Sequence, residues 1–455
     1  MVALVRCLAV LALLTSTVHV ASAQVLTVQG DRLAVDGTPK FLVFVSYFGA
    51  LGADNPAADL QYFKSKGFDG IRIWPTVFTG PQLMRADGSI VPDSLARLKY
   101  VLDRASDLRL VVDVSFTAEH IPGLDAARFR DGIMAATQEL KSYRNLLFDI
   151  QNERNVYGPF RRPLAAEDVI RIRDGIKSID PERVVTASNS SERTADFASD
   201  FAAQTNLDVT AYHDPRTSQF AEPPWVKQLV DQLKASGRPA YFQEPMPTRY
   251  VFFPASYRSD LYLQQMAYAK LYGAAAWCFH TVLGVEDLHG VLFQNLIEGE
   301  VEPELNFVNA LVPRVQLRTS NGVNFVTAES GGGADVRADR NNPGLWESFK
   351  MVVLSGGPVV SGDRVAFQSS DGAHYLSAVG GGGATLRAVA TQIGPSETFI
   401  IEKADGGLIR SGDSITLRAA SGAWYVTAES GGGAGVNVNR PSPGAWESFT
   451  VVFLR

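Results

Sequence analysis

Two acidic residues of this chain each follow an amide side chain at the end of an apolar run. Asn152 precedes Glu153, and Gln243 precedes Glu244. Two carboxylates about 5 Å apart are the equipment of a retaining glycosidase. One acts as the nucleophile, and the other protonates the leaving oxygen and then activates water. Such chemistry requires a fold that brings the two distant carboxylates to one bond.

Short apolar stretches alternate with helix-like stretches over the first two thirds of the chain. The predicted strands are 41–48, 70–75, 109–116, 145–153, 183–189, 208–214, 239–245 and 274–281. Eight strand–helix repeats, with no Gly-rich phosphate turn after the first strand, favour an α/β fold of the (β/α)8 TIM-barrel type over a doubly wound open sheet. Residues 24–40 predict a small hairpin with a turn at Asp36-Gly37, which could close the barrel floor.

Catalytic groups of a parallel barrel lie at the carboxyl ends of its strands. Glu153 ends the fourth predicted strand and Glu244 the seventh, so the two are expected to face each other across the mouth. Asn152 is then placed to hydrogen-bond a sugar 2-hydroxyl. The alternative interpretation of Glu153 is a structural ion pair with Arg154 or Arg72.

On these residues, 24–312 resembles the large clan of retaining (β/α)8 glycoside hydrolases that includes the cellulases and mannanases. The resemblance implies that Glu153 is the acid/base and Glu244 the nucleophile. Arg72 in "GIRIWP" matches the arginine that the clan carries at the end of its second strand. A positive charge there would lower the pKa of the nucleophile, which must be ionised.

The same resemblance assigns His213 as an active-site hydrogen-bonding group and Trp277 as a sugar-stacking platform. Trp74, Tyr212 and His280 are further candidates for the cleft, and each could instead be structural. The chain departs from the pattern of cellulases at three places. These are Arg154 in place of Pro, Ser115 and Phe116 where a histidine is usual, and Pro215 two residues after His213, where an aromatic is common. The departures leave the family within the clan, and the substrate, open.

The pattern changes after Pro313. "NFVTAESGGGADVRA" at 324 returns as "HYLSAVGGGGATLRA" at 374 and "WYVTAESGGGAGVNV" at 424. Three β-rich repeats that bury one core predict an all-β β-trefoil domain over 313–455, with a three-bladed propeller as the alternative. The repeats resemble fascin-type trefoils. Binding of carbohydrate by this region is expected from architecture alone, with Trp424, Asn324 and His374 as candidate contacts.

Residues 1–23 predict a secretory signal peptide, with Arg6, an apolar run at 7–14 and an Ala-x-Ala cleavage site at 21–23. The chain is then expected to be secreted, to the periplasm or the extracellular space, and no other segment predicts a membrane span. Cys278 is the one cysteine left after cleavage, so no intrachain disulfide is expected. A net charge of −6 argues against a nucleic-acid partner held by phosphate contacts.

The leading hypothesis is a secreted retaining glycoside hydrolase that cleaves β-glycosidic bonds in a polysaccharide of the β-glucan or β-mannan type. Hydrolysis by two carboxylates needs no cofactor, and no metal-binding motif such as HExxH is present. The alternative is a non-catalytic protein that binds carbohydrate or a surface through a degenerate barrel.

Overall fold

The protein is represented by a computed structural model that describes residues 24–76, 80–117, 121–156, 163–248, 258–285, 288–299 and 304–454. The predicted signal peptide lies outside these ranges. Within them, no helix is both long and apolar enough to cross a bilayer.

The N-terminal two thirds contain a small antiparallel sheet, a parallel sheet and the helices around it. The small sheet consists of β1 (Leu26–Gln29), β2 (Arg32–Val35) and β3 (Thr38–Pro39). The parallel strands are β4 (Leu42–Ser46), β5 (Gly70–Ile73), β6 (Val111–Ser115), β7 (Leu146–Asp149), β8 (Val184–Thr186), β9 (Thr210–His213), β10 (Ala240–Glu244) and β11 (Ala276–Phe279). The helices are α1 (Pro56–Ser65), α2 (Pro92–Asp107), α3 (Ala126–Leu140), α4 (Ala166–Ile179), α5 (Ala195–Gln204), α6 (Pro223–Leu233), α7 (Ser259–Leu271), α8 (Phe293–Glu298) and α9 (Glu304–Ala310).

The eight parallel strands follow the order β8-β7-β6-β5-β4-β11-β10-β9. The two outer strands of this order meet through a parallel bridge between Asn189 and Tyr212, with the His213 amide donating to the Asn189 carbonyl at 2.9 Å. The sheet is therefore a nearly closed (β/α)8 barrel, and the predicted fold class is confirmed. Each of the eight predicted strands contains one strand of this barrel.

The small sheet covers the barrel at the amino ends of its strands. Leu26 and Leu33 pack with Leu42 and Phe44, side chains that point into the barrel. The predicted turn at Asp36-Gly37 joins β2 to β3, with φ of 51° and 76° at its two residues. The expected hairpin is thus a three-stranded sheet, and it closes the floor.

Side chains alternate along the barrel strands between the interior and the surrounding helices. At the floor, the inward positions are apolar, as in Phe44, Val111 and Leu147. Nearer the mouth, the inward positions of neighbouring strands are polar, and Asp113 and Asp149 are fully buried there. A polar layer under the mouth has to be satisfied internally, since unpaired buried polar groups are costly.

The C-terminal third is antiparallel and all-β, as predicted. Its strands are β12 (Arg314–Thr319), β13 (Phe325–Ala328), β14 (Val336–Arg340), β15 (Phe349–Val353), β16 (Arg364–Gln368), β17 (Tyr375–Ala378), β18 (Ala384–Ala390), β19 (Phe399–Glu402), β20 (Ser414–Ala419), β21 (Tyr425–Ala428), β22 (Val436–Arg440) and β23 (Phe449–Leu454). Strands β12, β15, β16, β19, β20 and β23 pair in a closed ring, and each repeat adds one hairpin. The β-trefoil assignment and the resemblance to fascin stay predictions.

One buried ion pair joins the two regions. Lys270, near the end of α7, donates to Asp363 Oδ2 at 2.7 Å and to the carbonyls of Gly356 and Pro358. Burial lowers the pKa of Lys270, and the Asp363 carboxylate opposes that shift. The amide of Phe41, just before β4, donates to the Ser355 carbonyl. The all-β region therefore docks at the amino ends of the barrel strands, away from the mouth.

Replacing one partner of this pair should destabilise the protein. Asp363→Asn leaves the Lys270 charge buried without its counter-ion, a defect that typically costs about 3–5 kcal/mol. We expect the urea midpoint of unfolding to fall accordingly. Asp405→Asn is the matched control, because the Asp405 side chain is 79% exposed and faces Lys403 at 3.4 Å. Equal midpoints for the two variants would contradict a structural role for the buried pair.

Candidate active site

Arg72 is the central group of the barrel mouth. It is the penultimate residue of β5, is fully buried, and its three guanidinium nitrogens reach side chains on β6, on β10 and in the turn after β7. Nε donates to Ser115 Oγ at 2.9 Å, Nη1 to Glu244 Oε1 at 2.7 Å and Nη2 to Asn152 Oδ1 at 2.7 Å. Because the guanidinium fork is planar and rigid, these contacts fix the relative positions of the side chains that they reach.

Glu244 reaches the mouth through an irregularity in β10. The register with β9 shifts between Phe242 and Glu244, so Gln243 is an extra residue at this point. A bulge of this kind re-aims the side chains that follow it. Gln243 consequently points into the barrel, and Glu244 also faces the mouth, where it contacts Arg72.

The environment of Glu244 favours its ionised form. Burial raises the pKa of this carboxyl, but nearby positive groups lower it by more, so that its pKa lies well below the usual range. Arg72 contacts one oxygen, and Arg216 lies 3.7 Å from the other. His280 also lies 3.7 Å away, but burial lowers its pKa to about 3, so it is neutral at pH 7. Among the nearby groups, His213 at 3.4 Å lowers the pKa of Glu244 most, followed by His280, Arg72 and Arg216, and of these the two arginines carry a permanent charge.

Glu153 follows β7 in a strained backbone conformation. Its φ is +47°, a region that non-glycine residues rarely adopt. Its amide donates to Ser188 Oγ at 3.0 Å. The next residue, Arg154, donates to Asn189 Oδ1 and packs its guanidinium 3.2 Å from the Phe201 ring centroid. These contacts hold the strained turn, which is a recurring feature of functional sites.

The two carboxylates converge at the mouth. One oxygen of Glu153, one of Glu244 and a ring nitrogen of His213 all lie within 4.8 Å of one another. This separation suits a retaining mechanism, whereas an inverting one needs about 6.5–9.5 Å between the carboxyl groups. The side chain of Glu153 is 19% exposed and that of Glu244 is 6% exposed, so the two sit in unlike surroundings.

His213 lies between the carboxylates, and Gln243 sets which of its nitrogens carries a proton. The Gln243 amide nitrogen donates to Asp113 Oδ2 at 2.8 Å and to Asp149 Oδ2 at 3.1 Å. Its carbonyl oxygen therefore faces His213 Nε2, at 3.3 Å. Since a carbonyl oxygen only accepts, Nε2 must carry hydrogen.

The other ring nitrogen, Nδ1, lies 2.9 Å from Glu153 Oε1 and 3.4 Å from Glu244 Oε2. In neutral His213 this nitrogen has a lone pair, which would repel an ionised Glu153. A proton is therefore required between His213 and Glu153, either on the carboxyl group or on the ring. The site thus holds one transferable proton beside Glu153, while the arginines keep Glu244 ionised.

The buried carboxylate Asp113 supports this arrangement from below. It accepts from Gln243 and from Ser115, and it lies 3.6 Å from Arg72. Burial raises its pKa to about 6, against the opposing charge of Arg72. Asp113 thus lies beneath the mouth and acts through Gln243 and Arg72 on the groups above.

Two polar atoms near the mouth have no protein partner among the described residues, namely Trp74 Nε1 and His280 Nδ1. Trp74 stacks on Phe48 with ring centroids 4.0 Å apart, and Phe48 also contacts the His280 ring. Buried polar atoms are rarely left unsatisfied, so each such atom needs an explanation. A hydroxyl-rich ligand in the mouth would give both atoms a hydrogen-bond partner. The sequence predicts both residues in the cleft.

Two expected cleft residues lie elsewhere. Trp277 is fully buried against the helices, donates to Gln265 Oε1 and packs on Phe279 and Phe307. Tyr212 also points outward, and its hydroxyl donates to the Arg193 carbonyl. Each of the two residues is adjacent in its strand to a residue whose side chain points into the barrel, so its own side chain points outward. The expected stacking platform at Trp277 is therefore wrong, as is a cleft position for Tyr212.

Several residues lie at the site although their sequence pattern predicts no role for them there. Ser115 departs from the pattern of the clan, yet it bonds Arg72 and Asp113. Gln243 was noticed only as the neighbour of Glu244. Side chains alternate between the two faces along a strand, so the positions of Asp113 and Asp149 in the sequence predict which of their neighbours also point into the barrel. That alternation is the signal from which the buried polar layer could be predicted. No sequence signal marks Arg216, which lies in a loop after β9.

Glu153, His213 and Glu244 are also chemically able to hold a divalent cation. The two arginines near Glu244 oppose that interpretation, because their permanent positive charges repel a cation. Arg72 in addition already occupies one oxygen of Glu244. The charge distribution therefore favours two-carboxylate chemistry at this site.

No family model and no curated protein matches the sequence. A glycoside hydrolase family 5 structure from Bacteroides vulgatus aligns over 95% of this chain and 93% of its own, with 11% identity and a TM-score of 0.51. The β-1,4-D-mannanase of Cryptopygus antarcticus aligns over 59% of this chain and 95% of its own, with 15% identity and a TM-score of 0.43. At such identities the likeness concerns the fold, and the Bacteroides structure supports it over nearly the whole chain.

Removing the Arg72 charge should change how the site responds to acid. Arg72 stabilises ionised Glu244, so Arg72→Met should raise the pKa of Glu244. The acid limb of the kcat/KM profile should then move to higher pH, by about 1–3 units. Arg72→Lys keeps a positive charge and should move the limb less. The profile is measured on a soluble aryl glycoside.

Because Arg72 is fully buried, folding of the Arg72→Met protein is checked first by near-UV circular dichroism. Arg216→Met removes the second charge, 3.7 Å from Glu244, and should shift the limb in the same direction by less. An acid limb that stays in place in both folded variants would contradict electrostatic control of Glu244 by the arginines.

Proposed function

We propose that this protein is an exported retaining glycoside hydrolase acting on a β-linked polysaccharide. The observation that carries the proposal is the convergence of Glu153 and Glu244 within 4.8 Å, with a proton required between Glu153 and His213 and with surroundings that favour ionised Glu244. The N-terminal apolar segment with its Ala-x-Ala site supports export. The similarity of fold to a family 5 glycoside hydrolase is consistent with it.

In the first step, the Glu244 carboxylate attacks the anomeric carbon of the sugar. The glycosidic C–O bond breaks, and Glu153 gives its proton to the leaving oxygen. The products are the free alcohol end and a covalent glycosyl ester on Glu244. Arg72 and Arg216 keep Glu244 ionised, so the nucleophile needs no proton removed before attack.

In the second step, the Glu153 carboxylate takes a proton from water, and the oxygen of that water attacks the anomeric carbon. The ester bond to Glu244 breaks, and the product retains the starting anomeric configuration. At the end of this step Glu153 is protonated again, and its hydroxyl can donate to Nδ1 of His213, whose other ring nitrogen is fixed by Gln243. Arg72 occupies Asn152 Oδ1, so the Asn152 amide nitrogen is the atom that can donate to a sugar 2-hydroxyl.

The polysaccharide is of the β-mannan or β-glucan type in this proposal. The residues of the barrel alone do not separate these two substrate types. Hydrolysis of insoluble and soluble forms of both, followed by proton NMR of the first product, separates the substrates and reports the stereochemistry. An inverted product would overturn the nucleophile role of Glu244.

Replacement of each carboxylate should give a distinct defect. Glu153→Gln should lower kcat by about 10²–10⁴ on polysaccharide, since general acid catalysis is worth that much. On a 2,4-dinitrophenyl glycoside the loss in the glycosylation step should be small, because that leaving group needs no proton. Glu244→Gln should abolish turnover of both substrates.

The matched control is Glu139→Gln, an exposed glutamate on α3 that pairs with Lys99. It should leave turnover of both substrates unchanged. Full polysaccharide hydrolysis by folded Glu153→Gln or Glu244→Gln protein would end the proposal. A protein that binds polysaccharide but never hydrolyses it would favour the non-catalytic alternative.

Gln243 should act as a positioning residue. Gln243→Met removes the acceptor that fixes hydrogen on His213 Nε2, so the ring can place its hydrogen on Nδ1 and favour ionised Glu153. The pKa of the acid should fall, the basic limb of kcat/KM should move to lower pH, and kcat/KM should drop by up to about 100-fold. Gln265→Met is the control, a buried glutamine that bonds Asp214 away from the carboxylates. A basic limb that moves equally in both variants would show a general structural effect instead.

A further inference from the structure

In the all-β region, several positions hold the same residue in the first and third repeats and a different residue in the middle repeat, and three of them form one cluster in each of the two outer repeats. A position that the fold requires should be filled similarly in all three repeats, because the three units have the same backbone. At these three positions the first repeat has Glu329, Arg340 and Trp346, and the third repeat has Glu429, Arg440 and Trp446. The middle repeat has Val379, Ala390 and Ser396 instead. We call the first two groups the Glu–Arg–Trp sets.

Each set forms one surface cluster. Arg340 donates to Glu329 Oε2 at 3.0 Å, and its guanidinium carbon lies 4.5 Å from the Trp346 ring centroid. In the third repeat, Arg440 donates to Glu429 at 3.2 Å and lies 5.9 Å from the Trp446 centroid. The clusters are therefore equivalent in composition and in contacts.

The backbone does not depend on these clusters. The turn after Ala328 has φ of +60° at Ser330, and the matching residues Gly380 and Ser430 have +69° and +59°. The middle repeat thus makes the same turn without a set. By contrast, Glu347, Glu397 and Glu447 recur in every repeat, and each accepts from the amide of the glycine three residues earlier. Those glutamates are structural, and the sets are not required by the fold.

The indole rings of both sets remain accessible. Trp346 is 37% exposed and Trp446 is 42% exposed, and aromatic residues are enriched at binding interfaces relative to the rest of a protein surface. The sets lie just before β15 and β23, at the end of the closed ring that carries the hairpins. The contacts with the (β/α)8 barrel come from 354–363, after β15, and from Arg410, before β20, at the opposite end. Both tryptophans therefore lie at the end of the ring that is remote from the barrel.

We propose that the two Glu–Arg–Trp sets are binding sites for neutral polysaccharide. A sugar ring has apolar C–H faces, which stack on an indole, and hydroxyl groups at its edge, which need donors and acceptors beside that ring. Each set offers an exposed indole with a guanidinium and a carboxylate next to it. The opposite charges cancel within each set, which suits an uncharged ligand better than an anionic or a cationic one.

The contacts expected from sequence alone are weaker candidates. His374 Nδ1 bonds Asp371, and Asn324 Oδ1 accepts from Asn321. Trp424 packs on the turn at Gly382, where an added side-chain carbon would meet its ring. These three side chains belong to the local turns of their hairpins, so the sets take their place as the proposed ligand contacts.

The test measures binding of the full-length protein to insoluble β-mannan and to cellulose, in a Glu153→Gln background that prevents degradation. Two linked sites reinforce each other, so Trp346→Ala/Trp446→Ala should weaken binding to one of these polymers by about 10-fold or more. Each single variant should weaken it less. Tyr100→Ala, an exposed aromatic on α2 of the barrel, is the control and should bind like its parent.

A gain of binding provides the complementary test. Val379→Glu, Ala390→Arg and Ser396→Trp together build a third set in the middle repeat and should tighten binding. In an otherwise native chain, Trp346→Ala/Trp446→Ala should keep full activity on a soluble aryl glycoside, so that failure of the catalytic proposal is seen separately. Unchanged binding in the double variant would overturn the inference. So would a concentration-dependent dimer, seen by sedimentation, that the double variant abolishes.

Discussion

Three hydrogen bonds from one buried guanidinium constrain the whole mouth of the barrel. Arg72 is fully buried and holds Ser115 of β6, Glu244 of β10 and Asn152 of the turn after β7 at hydrogen-bond distance. A charge in such a place is tolerated only with close partners, and Asp113 and Asp149 lie within 4 Å of it below. The ion pair between Arg72 and Glu244 helps to compensate the buried charge of Arg72, and it also favours the ionised form of Glu244. The contacts of Arg72 thus both stabilise the polar layer and favour the ionised state of the proposed nucleophile.

Two residues of the same type acquire different roles through their backbones. Glu244 follows an extra residue in β10, which lets both it and Gln243 face inward, and so it meets the arginines. Glu153 sits at φ +47° after β7 and meets His213 instead. Regular strands would place only alternate residues in the barrel, so neither arrangement would arise without these irregularities. The proposed division between nucleophile and acid is therefore built into local departures from ideal geometry.

Much of this could be predicted from the sequence because the barrel strands are continuous apolar runs and the repeats are spaced by 50 residues. Glu153, Glu244, Arg72, Asn152 and His213 were found because strand ends and a resemblance mark them. The predicted cleft positions of Trp277 and Tyr212 are wrong because they rest on residue type alone. Side chains alternate between the two faces along β11 and β9, and this alternation places both residues on the outer face. Arg216 could not be predicted, since the path of a loop depends on packing that the local sequence does not specify.

The position of the all-β region limits what its proposed sites can contribute. Lys270 and Asp363 lock it to the amino ends of the barrel strands, whereas the carboxylates lie at the carboxyl ends. The Glu–Arg–Trp sets lie farther still, at the end of the ring remote from the barrel. A sugar held by Trp346 or Trp446 would therefore not be the sugar that Glu244 attacks in the proposed mechanism. Binding there would act by keeping the protein on an insoluble polymer, which raises the local concentration of the proposed substrate, and it would leave the proposed chemistry at Glu153 and Glu244 unchanged.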